Sequence, residues 1–245
     1  MTAPIRTART TGLLYLGLAI TGLFGFLVIR PQLFAANDPG TTLANLVEHE
    51  ALARAGIAFE LLVVLTQALA AMWFYRLFRS ADPLNAGGVA AFGLVNAVAI
   101  LGSAAMLATA VDVAHAPAGD AAATVQLLHL IAGNLWNAGA IFFGLWLVPM
   151  GRCVLRSGWM PRGLGWTLIA GGIGYVLSTF AKYLVPDAPL VADALVLPSM
   201  VGEFWMIGYL LVRGVRQAGQ LTAQLTGEGS GAAAQTDVAP PRTGR

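Results

Sequence analysis

Residues 87–110 read GGVAAFGLVNAVAILGSAAMLATA, a run without one charged side chain, closed by Asp82-Pro83 before it and Asp112 after it. A helix rises about 1.5 Å per residue and a bilayer core is about 30 Å thick, so roughly 20 apolar residues cross it. The run is long enough, and it predicts a transmembrane helix. Working outward, five more stretches of the same kind appear, and the six fall at about 11–29, 55–75, 87–110, 127–150, 163–184 and 194–212. Proline and charge collect in the connections, as at Arg30-Pro31, Asp38-Pro39-Gly40, Asp82-Pro83, Pro117 and Pro161-Arg162-Gly163. The expected fold is all-α: a polytopic membrane protein with a six-helix transmembrane domain over residues 1–216. A cytoplasmic tail, 217–245, follows; its Gln, Gly, Thr, Ala and Pro carry too little apolar surface to offset the entropy of ordering, so disorder is expected there.

The totals point the same way. Charged residues make up 11% of the chain and hydrophobic ones 57%, against roughly a quarter charged in a soluble domain. The partner this implies is the lipid bilayer. The net charge of +2 comes from arginines beside apolar runs and not from a basic patch, so no nucleic-acid partner is expected. Cys153 is the only cysteine, which excludes an intramolecular disulfide and a multi-cysteine metal site. Oligomeric state is not legible.

The first stretch follows Arg6 and Arg9 as a signal peptide would, but its apolar core exceeds the roughly 7–15 residues of such a segment. It is read as a retained helix. Cytoplasmic loops carry an excess of Lys and Arg. With the N-terminus inside, the inner segments hold Arg6, Arg9, Arg76, Arg79, Arg152, Arg156, Arg162, Arg213 and Arg216, and the outer ones only Arg30, Arg54 and Lys182. Both termini are therefore expected in the cytoplasm, N-in and C-in. Heavy use of Ala, Gly and Arg, with Lys182 the only lysine, suggests a bacterium with GC-rich DNA and a plasma (inner) membrane address. The outer loop 30–54 predicts a short helix from Thr41 or Thr42 through Ala53, with Thr as N-cap, lying on the outer surface.

Ionisable side chains inside a bilayer cost about 2.5–3.5 kcal/mol each on insertion scales, so their positions are informative. Glu60, Glu203 and His129 lie within apolar stretches, with Lys182, Arg30 and Arg54 at their outer ends. All six fall in the outer half. They define a candidate outward-facing pocket for a small ligand or a proton, in which either glutamate could pair with one of the cations. The competing reading is structural: fixed ion pairs, with Lys and Arg reaching the interface along their own stems. Glu203 is the deepest; isolated it would take a proton, and beside Lys182 or an arginine it would keep its charge.

Gln67, Asn96 and Asn137 lie nearer the midplane. Small and polar residues line up as Gln126, His129, Gly133, Asn137, Ala140 and Gly144, as Thr167, Gly171, Gly174, Ser178 and Lys182, and as Gly17, Thr21 and Gly25. Such stripes let helices approach closely and read as packing seams. His49, His115 and His129 have no spacing that pre-forms a metal site, haem has no axial pair, and no P-loop, nucleotide fingerprint or nucleophile elbow occurs. No catalytic residue, metal or cofactor is expected.

Phe142-Phe143-Gly144-Leu145-Trp146-Leu147, followed by Gly151-Arg152, Arg156-Ser157-Gly158-Trp159-Met160-Pro161-Arg162 and Leu164-Gly165, resembles a bacterial membrane family described as domain of unknown function 4386. The likeness extends over nearly all of residues 9–214. Arg30, Thr42, Asn45, Arg54, Glu60, Gly174-Tyr175, Pro186 and Glu203 also fit its pattern. The resemblance implies a compact multi-helix membrane protein and no assigned activity. Three readings stand: a non-enzymatic bundle with a polar pocket, a structural or accessory subunit, and an intramembrane enzyme acting on lipid through a glutamate base. The arginines around Pro161 also read as an anchor at anionic headgroups.

Overall fold

A computed structural model describes residues 3–35, 37–117 and 119–215. Arg216 and the expected tail lie outside the described residues. The chain runs α1 (Ala3–Leu23), a π-helical turn (Phe24–Ile29), α2 (Arg30–Leu33), α3 (Pro39–Glu48), α4 (Glu50–Phe78), α5 (Pro83–His115), α6 (Ala121–Ser157), α7 (Arg162–Leu184) and α8 (Pro189–Val212). Six helices are long and apolar enough to cross a membrane, the first being the continuous rod Ile5–Leu33. They coincide with the six expected stretches and run past them at most ends. Hydropathy marks only the part in hydrocarbon, whereas a helix continues until its backbone is capped. Asp82 and Asp120 do this for α5 and α6, accepting from the amides of Asn85 and Ala123 at 3.1 and 3.0 Å. Gly158, at φ 65°, closes α6 in the left-handed conformation that glycine adopts most readily.

Each span packs on two others: α1 on α4, α4 on α5, α5 on α6, α6 on α7, α7 on α8, and α8 back on α1. The six therefore close a ring. Short connections make sequence neighbours antiparallel, and of these six ring contacts only α1–α8 joins spans that do not follow one another in the chain. Tyr15, Phe74 and Trp146 fill the middle, with ring centres 5.3 to 5.9 Å apart. Leu13, Leu65, Val98, Leu127, Ile173 and Phe204, one from each span, are exposed, while Thr11, Glu60, Gln67, Asn96, Ser103 and Ser199 are buried. That distribution is inverted relative to a soluble bundle and fits lipid outside.

Some of the small-residue seams are real contacts. A Cβ on Gly151 would sit 2.5 Å from the Gly165 carbonyl oxygen, and one on Gly172 2.6 Å from that of Gly144. Here α6 and α7 touch backbone to backbone. Gly133, by contrast, has nothing within 4 Å and belongs to no seam.

The loop between the first span and α4 differs from expectation. Its helix starts at Pro39 with Asp38, not a threonine, as N-cap, and breaks at His49 before α4 begins. Asp38 accepts from both the amide and the hydroxyl of Thr41, at 2.9 and 2.7 Å, an acceptor geometry that threonine cannot match. One face of α3 packs on the bundle and the other is exposed. Leu46 and Thr42 are buried against the ends of the spans, and Asn45 donates to the Leu33 carbonyl at 3.3 Å. It is a lid over one end of the ring.

Candidate functional site

Under that lid, Arg30 meets Glu60. The π-helical turn just before Arg30 holds extra residues in its coil, which rotates the following side chains relative to an α-helix. Arg30 consequently points inward and is 9% exposed. Its Nε and Nη2 donate to Glu60 Oε1 at 3.1 and 2.5 Å, and Nη2 also donates to Ser103 Oγ at 2.8 Å. The guanidinium carbon stands 5.1 Å from the Phe26 ring centre and 5.9 Å from that of Trp136. Ion pair, hydroxyl and aromatic faces together offset the desolvation that a lone buried charge would suffer. Glu60 Oε2 has no partner.

His129 belongs to the same end of the bundle. Its ring stacks on Phe34 at 3.9 Å between centres and 8° between planes, and its Nδ1 is buried without a partner. A cavity of about 10 Å³ borders Arg30, Glu60, Phe34 and Leu46. That is space for roughly one water and for no bulkier solute.

Further in, α4 and α5 keep their register. Gln67 follows Glu60 by two turns and Asn96 precedes Ser103 by two turns, so two buried polar layers stack along the ring. Both amide atoms of Gln67 lack partners, although the residue is fully buried. Trp136 Nε1, Trp146 Nε1 and Tyr15 Oη are orphaned in the same way. Glu203, partly buried on α8, faces the hydroxyls of Tyr15 and Tyr175 without closing a hydrogen bond of good geometry to Tyr15. Gly25 against Phe59, Gly17 against Thr66 and Gly12 against Leu210 fix the levels. Glu60, Glu203, Gln67 and Tyr15 lie level with about residues 24, 19, 16 and 15 of the first span, a slab roughly 14 Å thick.

Of the six candidate residues, the structure brings Arg30, Glu60 and His129 together and leaves three elsewhere. Arg54 faces outward on an exposed pair with Glu50 at 2.7 Å, to which His115 adds a 3.2 Å contact. Lys182 is exposed and forms no ion pair among the described residues. Glu203 has tyrosines and, among the described residues, no ion-pair partner beside it, and it lies about 7 Å further in than Glu60, on another side of the ring. Sequence reasoning missed Ser103, Trp136 and Tyr15, which apolar runs conceal, and met Tyr175 only as part of the family pattern. At the opposite end, Arg156 is turned onto buried Asp82 at 2.9 Å, so that arginine is a structural partner as well as a surface charge. Among the described residues no group of three or more His, Cys, Asp or Glu could hold a metal ion.

A closed ring of six apolar helices with its polar side chains turned inward defines a multi-pass membrane protein whose surroundings are a lipid bilayer. The chain belongs to the family described as Domain of unknown function (DUF4386), which matches it over residues 10–214. No curated protein and no solved structure matches it.

Proposed function

We propose that this protein is a non-enzymatic bundle of a bacterial inner membrane, with both termini in the cytoplasm, whose interior binds or passes a proton through ordered water. One observation carries the reading: buried polar atoms without partners gather inside the ring, on Glu60, His129, Trp136, Gln67, Trp146 and Tyr15. Each such atom costs about 1–3 kcal/mol if left dry, and internal water is the usual remedy. Water held between a carboxylate, an amide and a phenol is the material of a proton relay, and intramembrane carboxylates mark such routes. The room beside Glu60 suits a water better than a bulkier ligand, which favours the proton over a larger solute.

The structural alternative has its own support, because Arg30 saturates one oxygen of Glu60 and the hydroxyl of Ser103 as a fixed strut would. Proton uptake separates the two. The protein is reconstituted into vesicles holding a pH-sensitive dye, and an inside-negative potential is imposed. Wild type should acidify the lumen faster than protein-free vesicles, and Gln67→Leu should slow it at least about tenfold while the fold is kept, since leucine satisfies an apolar site without an orphan amide. A wild-type rate equal to the protein-free rate would leave the structural reading in its place.

A further inference from the structure

The arginine-rich end of the ring carries a second feature, remote from the buried ion pair. Between α6 and α7 lies a groove of about 390 Å³ lined by Val148, Arg152, Leu155, Arg156, Trp166 and Ile169. The glycine contacts at Gly144, Gly151, Gly165 and Gly172 draw the two helices together behind it, and the larger side chains on either side form its walls. Its lining is graded along the membrane normal. Arg152 and Arg156 stand near the end of α6, while Val148 and Ile169 lie about one turn further toward the hydrocarbon on their respective helices. Trp166, 63% exposed, sits between.

The charge is graded too. Arg156 commits Nη1 to Asp82 and keeps the rest of a 60% exposed side chain facing outward. Arg152 is exposed and forms no ion pair among the described residues. The groove therefore carries one uncompensated positive charge and the outer edge of a second guanidinium above an apolar slot. Guanidinium groups bind phosphate through paired N–H donors, and basic pockets between transmembrane helices are suited to anionic headgroups.

We propose that this groove is a binding site for one anionic phospholipid, with its phosphate on Arg152 and Arg156 and an acyl chain along Val148, Trp166 and Ile169. The site would hold a lipid at the α6–α7 seam, which is a firmer relation than the general attraction of basic residues to a charged membrane surface. It does not depend on the proton reading.

The test uses the full chain reconstituted in vesicles of equal phosphatidylglycerol and phosphatidylcholine, released into detergent, with retained lipid counted by native mass spectrometry. Wild type should keep one phosphatidylglycerol in preference to phosphatidylcholine. Arg152→Gln should cut that preference roughly fivefold, the worth of one basic residue at a charged surface, whereas Arg79→Gln, at the same end but outside the groove, should leave it unchanged. Val148→Trp fills the slot and spares both arginines, and it should also remove the retained lipid. Unfolding temperatures in phosphatidylcholine alone verify that the variants are folded. No preference in wild type would overturn the proposal, as would an Arg79→Gln loss equal to that of Arg152→Gln, or full retention in Val148→Trp.

Discussion

Arg30 and Glu60 lock together inside the bundle with Nη2 2.5 Å from Oε1, although 30 residues separate them in the chain. The contact ties the end of the first span to α4 just below the lid. Removing one member of a buried pair strands the other, which costs about 3–5 kcal/mol, whereas replacing both with apolar residues of similar volume is often neutral. Glu60→Gln and Arg30→Gln should each lower the unfolding temperature of the detergent-solubilised protein by many degrees. Arg30→Met with Glu60→Leu should recover most of the loss. If the double variant is as unstable as the singles, the pair does more than neutralise itself, and Ser103 and Trp136 become the groups to vary next.

Packing at the α7–α8 contact gives a sharper contrast between two glycines. A Cβ on Gly174 would collide with the Leu195 carbonyl oxygen, whereas one on Gly208 meets nothing within 4 Å. Backbone cannot rotate away as a side chain can, so Gly174→Ala should cost at least the roughly 1–3 kcal/mol of overpacking. Gly208→Ala should be neutral or stabilise by up to about 1 kcal/mol, because alanine is the better helix former. Unfolding temperature and gel-filtration profile report both, and equal effects would mean that the α7–α8 contact is looser than its geometry.

How much of this was legible in the chain follows from what hydrophobicity can encode. The six spans were, because a length of apolar sequence is a direct image of bilayer thickness. The ring was not, since its closure depends on α8 returning to α1, a contact no local pattern announces. Arg30 and Glu60 were legible as candidates because charge is rare in such segments. Their pairing was one of several open options, and the π-helical turn at Phe24–Ile29 shifts the facing of Arg30 in a way that a 3.6-residue period cannot use to select it. Tyr15 and Trp146 were concealed for the opposite reason: each is apolar in bulk, and only its single polar atom, buried and unpaired, marks it. Lys182 and Arg54 looked like members of the same constellation because depth alone was available, and depth says nothing about direction around a helix.

The Asp82 carboxyl sets a pH dependence at the other end of the ring, outside the spans. Burial works against its charge, yet the side chain and amide of Asn85 and the Arg156 guanidinium hold it below the usual carboxylate value. A carboxyl depressed in the folded state contributes stability that is whole above its unfolded value of about 4. That contribution is lost as pH falls through the lower folded value. Unfolding temperature should thus drop between about pH 4 and the folded-state value in wild type. In Asp82→Asn, which keeps an N-cap but no charge, the drop over this interval should be smaller. Coincident pH profiles for the two proteins would show that Arg156 lends Asp82 little.

Sidedness is the last prediction, and it rests on the distribution of Lys and Arg along the sequence. Of the three cations at the end expected outside, Arg30 is paired with Glu60 and Arg54 with Glu50, while Lys182 is exposed and outside any ion pair among the described residues. At the other end Arg156 is paired with Asp82, while Arg76, Arg79, Arg152 and Arg162 are exposed and outside any ion pair among the described residues. The positive-inside rule counts the Lys and Arg themselves, paired or not, so the nine-to-three distribution in the sequence is what predicts a cytoplasmic α4–α5 connection. Cys153 is buried and can be replaced by serine to give a cysteine-free background. Exposed Asn37 and Asp187 mark one end and exposed Ser80 the other. Asn37→Cys and Asp187→Cys should react with a membrane-impermeant maleimide in intact cells, and Ser80→Cys only after permeabilisation. The reverse pattern would place Arg152 and its groove on the outer leaflet and turn the direction of any proton movement around.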